Sequence, residues 1–279
     1  RCIPRLKTAL RAKGIEIVGD ATPRAPLSNQ LNLGELYPPK RGDEHRVANR
    51  SDFKKIEVGA LIAGGGIAGS ALFRYMADSG LNPVLVNADR GSSWRNIGGG
   101  RTAFSLPELA EIAEHNHAIF KELQKISNID YKTTRYINLA HDEPTFNALN
   151  ASRAWSDAYM VDPKNFQKEI SPYFSTKSKR YLGALITNDC WQATPGKVVD
   201  LIRNMGISAG GRIVEDCKVL EVMKEGSTYS ILVLTHDKKY VEFRTEIFVN
   251  ALGAGAGKIC EGLGIHAGLY AVRHQAFIT

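Results

Sequence analysis

Six residues constrain this chain more than any others: Gly64-Gly65-Gly66-Ile67-Ala68-Gly69, a GxGxxG run. It follows Val58, Ala60, Leu61 and Ile62, a short apolar stretch that reads as a buried parallel strand. Behind it, Ala68, Ala71, Leu72, Tyr75 and Met76 recur at helical spacing, and Gly80 stands where a helix's terminal glycine belongs. Residues 81–86 (LNPVLV) supply a second strand. A glycine run alone is weak evidence, but one set between a strand and a matching helix specifies a dinucleotide-binding βαβ unit. In such a unit Gly64 permits the tight turn, Gly66 lets backbone approach a pyrophosphate, and Gly69 lets helix and strand pack closely. The amides of the helix start, at Ile67 and Ala68, face phosphate with a partial positive charge.

One position departs from this pattern. The second strand of a dinucleotide fold ends on an acid that hydrogen-bonds the adenosine ribose. Here the place is held by Asn87, with Asp89 two residues on. Either Asp89 substitutes, or the ribose contact loses the strength that charge adds to a hydrogen bond.

Composition narrows the class. Of 279 residues 43% are hydrophobic and 23% charged, the balance of a globular chain. No apolar run reaches the roughly 18 residues that span a bilayer, so an integral membrane protein is not expected. The four cysteines (Cys2, Cys190, Cys217, Cys260) lie far apart, which argues against a zinc ribbon or a disulfide framework, and no metal site is expected. The net charge of +7 is concentrated at one end: residues 1–55 hold 12 Lys/Arg against 6 Asp/Glu, and the remainder 24 against 23. The main domain is therefore not expected to bind nucleic acid.

Residues 1–55 read as an extended basic arm. The first 13 carry five cations and no acid, the composition of part of a mitochondrial targeting segment or of an exposed basic terminus. Prolines at 23, 26, 38 and 39 deny the next stretch regular hydrogen bonding. Such arms order against partners, which points to a multi-subunit assembly.

From Ile56 to Thr279 the sequence resembles the D-amino-acid oxidase superfamily of FAD-dependent oxidoreductases, in particular its dimethylglycine dehydrogenase-like and mitochondrial branches. Residues 91–100 (GSSWRNIGGG) resemble the segment that passes the flavin, and 104–123 the helix that follows, with a capping box at Ser105 and Glu108 and Pro107 in its first turn. Residues 247–265 (IFVNALGAGAGKICEGLGI) resemble the returning strand and glycine turn, and 271–279 (AVRHQAFIT) the strand leading toward the substrate. The resemblance implies an α/β fold: a Rossmann-like FAD-binding domain (56–130 and 195–265), an inserted α+β substrate-type domain (131–194 and 266–279), and the arm before them. Within these, strands are expected at 136–140, 182–187, 219–222, 229–235 and 239–244, and helices at 143–150, 163–171 and 194–205.

The same resemblance implies FAD held by Gly64, Gly66, Ile67, Ala68, Gly69, Asn87, Val219 and Gly253, with Trp94 and Arg95 near the flavin. In the dimethylglycine dehydrogenase branch a histidine bonded to FAD follows the tryptophan. Arg95 stands there instead and cannot form that bond, so the flavin is expected to be noncovalent; Arg95 either pairs with phosphate or flavin oxygen or fills a vacant flavin site. The family's remaining strands are absent after Thr279. The chain is thus expected to be part of a longer enzyme, half of a split protein completed by a second chain, or a truncated relative.

No catalytic set emerges. His115 and His117, two residues apart, fall on different helix faces and read as solvated. His274 reads as packing, Asp189-Cys190-Trp191 as a turn with Trp191 in core, and residues 253–257 (GAGAG) as a turn near the cofactor or a second phosphate cradle. Two functions follow from the resemblance: oxidation of an amine or 2-hydroxy acid by FAD, or a non-catalytic accessory subunit or assembly factor of a mitochondrial complex such as respiratory complex I.

Overall fold

The computed structural model describes residues 53, 55–87, 91–175, 180–269 and 271–272; expectations for residues 1–52, Asp89 and His274 lie outside them. By their contacts, the described residues up to Arg95 and from Val199 onward form one unit, and Asn96–Val198 a second.

The first unit is built on the strand after which the glycine run begins. Strand β2 (Ala60–Ala63) pairs in parallel with β3 (Pro83–Val86) on one side and β12 (Phe248–Asn250) on the other, and β8 (Arg212–Val214) extends the sheet beyond β3. Side chains alternate between the two faces of a strand, and both faces of this sheet are covered. Leu61, Val84, Val86 and Val214 pack against Val222, Ile231, Val233, Val241 and Phe243 of a second sheet. Ile62, Leu85 and Ile213 pack against Phe73 of helix α1 (Ile67–Asp78).

That second sheet is an antiparallel meander of β9 (Lys218–Glu225), β10 (Thr228–Leu234) and β11 (Tyr240–Thr245). Strand β1 (Lys55–Glu57) joins it in parallel beside β11. The apolar stretch read as a buried parallel strand is β2, with Val58 in the connection from β1 in the other sheet. The chain crosses between them at Gly59, where a Cβ would lie 2.1 Å from the Leu81 carbonyl oxygen.

Helix α1 buries Gly69, Ser70, Phe73 and Ala77, a face rotated by about one residue from the one its apolar periodicity predicts. The Phe73 ring sets this orientation. It fills the space left by Gly206, on helix α6 (Pro195–Ser208), and by Gly211, where added Cβ atoms would each come within 2.5 Å of the ring. The helix ends as expected, with Gly80 in the left-handed region at φ +76°.

In the second unit β7 (Gly183–Gln192) is central. Strand β5 (Lys132–Ala140) runs antiparallel along one edge; β6 (Ala158–Val161) and β4 (Gly99–Gly100) share the other. Helix α4 (Glu143–Ala151) is capped by Asp142, whose Oδ1 accepts from the Thr145 amide at 2.7 Å. Phe166 opens α5 (Phe166–Glu169) and lies fully buried among Val161, Ala184 and Ile186. Helix α3 (Pro107–Ile126) begins at an extended Leu106 with no side-chain cap, so the expected Ser105/Glu108 box does not form; Pro107 supplies the start. Residues 189–191 lie within β7 and not in a turn: Cys190 and Trp191 pair with Thr134 and Thr133, and the register with β5 shifts between Cys190 and Thr187.

Candidate functional site

The glycine loop joins β2 to α1 at the carboxyl end of the parallel sheet. Gly64 turns it with φ +105°, its amide donating to the Val86 carbonyl at 2.8 Å. A Cβ here would sit 2.3 Å from the Ala251 carbonyl oxygen, and one on Gly69 would sit 1.9 Å from the carbonyl oxygen of Gly64 itself. Those two positions are therefore closed by backbone, which holds α1 directly against the strand ends. Gly66 differs. It is the extended residue before α1, and the nearest obstacle to a Cβ is the Ser93 hydroxyl at 3.0 Å. The first turn of α1 carries no acid to neutralise its positive end. A shallow glycine loop opening on a helix start fits a dinucleotide pyrophosphate.

Around the loop the structure assembles residues that periodicity did not mark. Ser93, on the short helix α2 (Ser92–Arg95), accepts from the Ile67 amide at 3.0 Å. Buried Ser70 donates its hydroxyl to the Gly65 carbonyl at 3.0 Å. Asn87, only 9% exposed, accepts from the Gly65 amide at 3.1 Å through Oδ1 and donates through Nδ2 to Glu215 Oε2 at 2.9 Å. Arg203 of α6 pairs with the other oxygen of Glu215, and its guanidinium lies 5.9 Å from the Trp94 ring centroid. Trp94 is half-buried, Arg95 exposed.

The other expected residues fall as follows. Ile67 and Ala68 are exposed on the first turn of α1. Gly253 opens the turn after β12 with φ +56° and open space on its side-chain side; of residues 253–257, Gly253–Gly255 form the turn and the last two begin helix α7 (Ala256–Gly262). Val219 sits on β9, partly buried and packed against the core shared by the two sheets. Cys217 donates its amide to the Asn87 carbonyl at 2.9 Å, but burial, reinforced by Asp216 and Glu215, pushes its thiol up to about 12. Burial also raises the Cys190 thiol. Both remain protonated near neutral pH and are poor nucleophiles.

In the second unit His117 overturns its expected solvation. It is 3% exposed, with Nε2 2.6 Å from the Tyr131 hydroxyl, Nδ1 3.2 Å from Asp189 Oδ2, and its ring stacked on Trp191 at 4.5 Å. His115 does lie exposed on another face. The short strand β8, too brief to show a period, hid Glu215; a serine pair before Trp94 was the one readable sign of Ser93. Among the described residues no group of His, Cys, Asp or Glu is arranged to hold a metal ion, and no helix is long and apolar enough to cross a membrane.

Comparison with known proteins agrees with this geometry. The anaerobic glycerol-3-phosphate dehydrogenase subunit A1 of Haloferax volcanii is 26% identical over 235 residues, 74% of this chain and 38% of that protein. L-proline dehydrogenase from P. horikoshii superposes with a TM-score of 0.63 at 20% identity, over 76% of this chain and 57% of that one. Glycine oxidase from Geobacillus kaustophilus gives 0.61 at 18% identity, over 75% and 59%. The chain therefore spans less than two thirds of the length of each, and the two structures speak to fold alone. A family model described as FAD dependent oxidoreductase (DAO) matches residues 60–279, well over half of the chain. With the glycine loop, its helix and the double-layered sheet in place, the chain belongs to the DAO family of FAD-dependent oxidoreductases.

Proposed function

We propose that this chain forms the FAD-holding portion of an oxidoreductase acting on a carbon that bears an amine or a hydroxyl. The observation that carries this is the contrast within the glycine loop: Gly64 and Gly69 are closed by backbone, while Gly66 meets only a side-chain hydroxyl. Folding explains the first two glycines; the third leaves an approach to the start of α1, where the Ile67 amide donates to Ser93 and Ala68 lies exposed. Gly64, Gly66, Gly69, Ser93 and Gly253 would hold the dinucleotide. The Ser93 hydroxyl, accepting from Ile67, fixes the entry to the helix.

When bound, the flavin supplies the hydride acceptor, and the protein's part is to orient it and keep water away. The substrate class is supported by the chemistry named for the relatives, since proline and glycine carry an amine and glycerol 3-phosphate a hydroxyl on the carbon oxidised. Arg95 in place of a linking histidine supports noncovalent attachment.

The test is the absorbance of natively purified protein between roughly 350 and 500 nm, before and after acid precipitation. A flavin spectrum that moves to the supernatant is expected. Colourless protein that takes up no added FAD would overturn the proposal in favour of a non-catalytic accessory subunit that keeps the fold alone.

A further inference from the structure

The acid that a dinucleotide fold places at the end of its second strand is missing at Asn87, yet a carboxylate stands beside that place. Strands β3 and β8 are parallel neighbours with Val86 in register with Val214, so Asn87 and Glu215 are the first residues beyond the two strand ends. The Asn87 amide donates to the Val214 carbonyl at 3.0 Å and holds that register past the sheet. In open parallel sheets ligands lie beyond the carboxyl ends of the strands. Glu215 thus reaches the same edge from one strand over, a step of roughly 4.8 Å.

Asn87 itself is poorly placed to serve a ribose. Its side-chain oxygen is taken by the Gly65 amide and its nitrogen by Glu215, and it is only 9% exposed. Glu215 is the reverse. A carboxylate has about four acceptor positions; Asn87 and Arg203 occupy one on each oxygen, and the side chain stays 41% exposed. Arg203 is 9% exposed, and among the described residues its buried Nε has no hydrogen-bond partner. Burying a guanidinium so incompletely satisfied is costly unless its charge is matched. Glu215 supplies that match, and its carboxylate is held from behind by Arg203 and from the side by Asn87.

We infer that Glu215 is the residue that accepts the hydroxyls of the adenosine ribose, with Asn87 linking it to the glycine loop. This rests on the FAD reading above. Binding of the ribose is thereby tied through Asn87 to the Gly65 amide, which joins the two halves of the nucleotide site in one hydrogen-bonded chain.

The test measures dissociation constants on cofactor-stripped full chain by flavin fluorescence, for FAD and for FAD lacking the adenosine 2′-hydroxyl. Wild type is expected to bind FAD about 10- to 100-fold more tightly than the deoxy analogue, the scale of one hydrogen bond to a charged group. Glu215→Gln is expected to lose that preference, weakening FAD while leaving the analogue little changed. An equal loss for both ligands would make Glu215 a brace only and overturn the inference; so would a wild type indifferent to the missing hydroxyl. Asn87→Asp gives an independent answer should the first variant fold poorly. It sets a second carboxylate against Glu215 and is expected to weaken FAD binding. Tighter FAD binding by this variant would put the ribose contact at position 87 and refute the assignment. Wild type that binds neither ligand would remove the FAD reading itself and this inference with it.

Discussion

Glycine 66 and glycine 69 are three residues apart in one motif, yet a side chain at each meets a different obstacle. At Gly69 a Cβ would press to 1.9 Å on backbone oxygen, which cannot move without parting α1 from β2. Gly69→Ala is expected to cost several kcal/mol, as overpacking against rigid backbone does (about 1–3 and at times more), and to lower the urea midpoint. Gly66→Asp meets only the Ser93 hydroxyl, so the protein should unfold close to the wild-type midpoint and lose flavin through repulsion of the pyrophosphate. Retained flavin in Gly66→Asp would show that the loop does not hold the phosphates. His117 makes a parallel point about packing. His117→Phe keeps a ring against Trp191 but leaves the Tyr131 hydroxyl without its partner, an expected loss of about 1–3 kcal/mol. A denaturant curve superimposed on wild type would exclude a structural role for that hydrogen bond.

At the scale of elements, α6 is pinned at its first residues by Asp130, which accepts from Lys197 at 2.8 Å and from the Thr194 hydroxyl at 2.6 Å. The Lys197 hydrogen bond, then that from Thr194, holds the Asp130 carboxyl below its ordinary value. A depressed carboxyl contributes stability that is present above its unfolded pKa of about 4 and is lost as pH falls through the folded value. Asp130→Asn, which tolerates the positive φ of 58° at this site, should therefore flatten the stability profile below about pH 4 and change it only modestly at pH 7, the pair being exposed. A profile that still falls as steeply in acid would assign the loss to other groups. Elements of this kind could be read from sequence where period and punctuation agreed. The α4 helix expected at 143–150, the α6 start at Thr194-Pro195, the β9–β11 meander and the Gly80 stop all follow from local chemistry. The rest depended on partners far away in the chain. The buried face of α1 is set by Phe73 against Gly206 and Gly211, and His117 is buried by Tyr131, Asp189 and Trp191; no window of neighbouring residues contains those contacts.

For the whole molecule, the glycine loop, Asn87, Glu215 and Arg203 draw on α1, the ends of β3 and β8, and α6, so a nucleotide bound there would join four elements distant in the chain. Loop position and glycine roles were written in the motif, whereas Glu215 lay more than a hundred residues from it and became visible only through the parallel pairing of β3 with β8. Such a site couples binding to global stability. A ligand that binds only the folded chain adds RT ln(1 + [L]/Kd), about 2.7 kcal/mol at a hundredfold excess over Kd. For a unit of this size that corresponds to a rise of about 5–10 °C in Tm. Cofactor-stripped protein is expected to gain that shift with FAD, Glu215→Gln to need a higher FAD concentration for the same gain, and Gly66→Asp to gain none. FMN, which lacks the adenosine half, should raise Tm less than FAD in wild type and by the same amount in wild type and Glu215→Gln. Equal shifts with FMN and FAD in wild type would mean that the adenosine half contributes nothing here, and the binding residues would then have to be sought elsewhere, starting at Trp94.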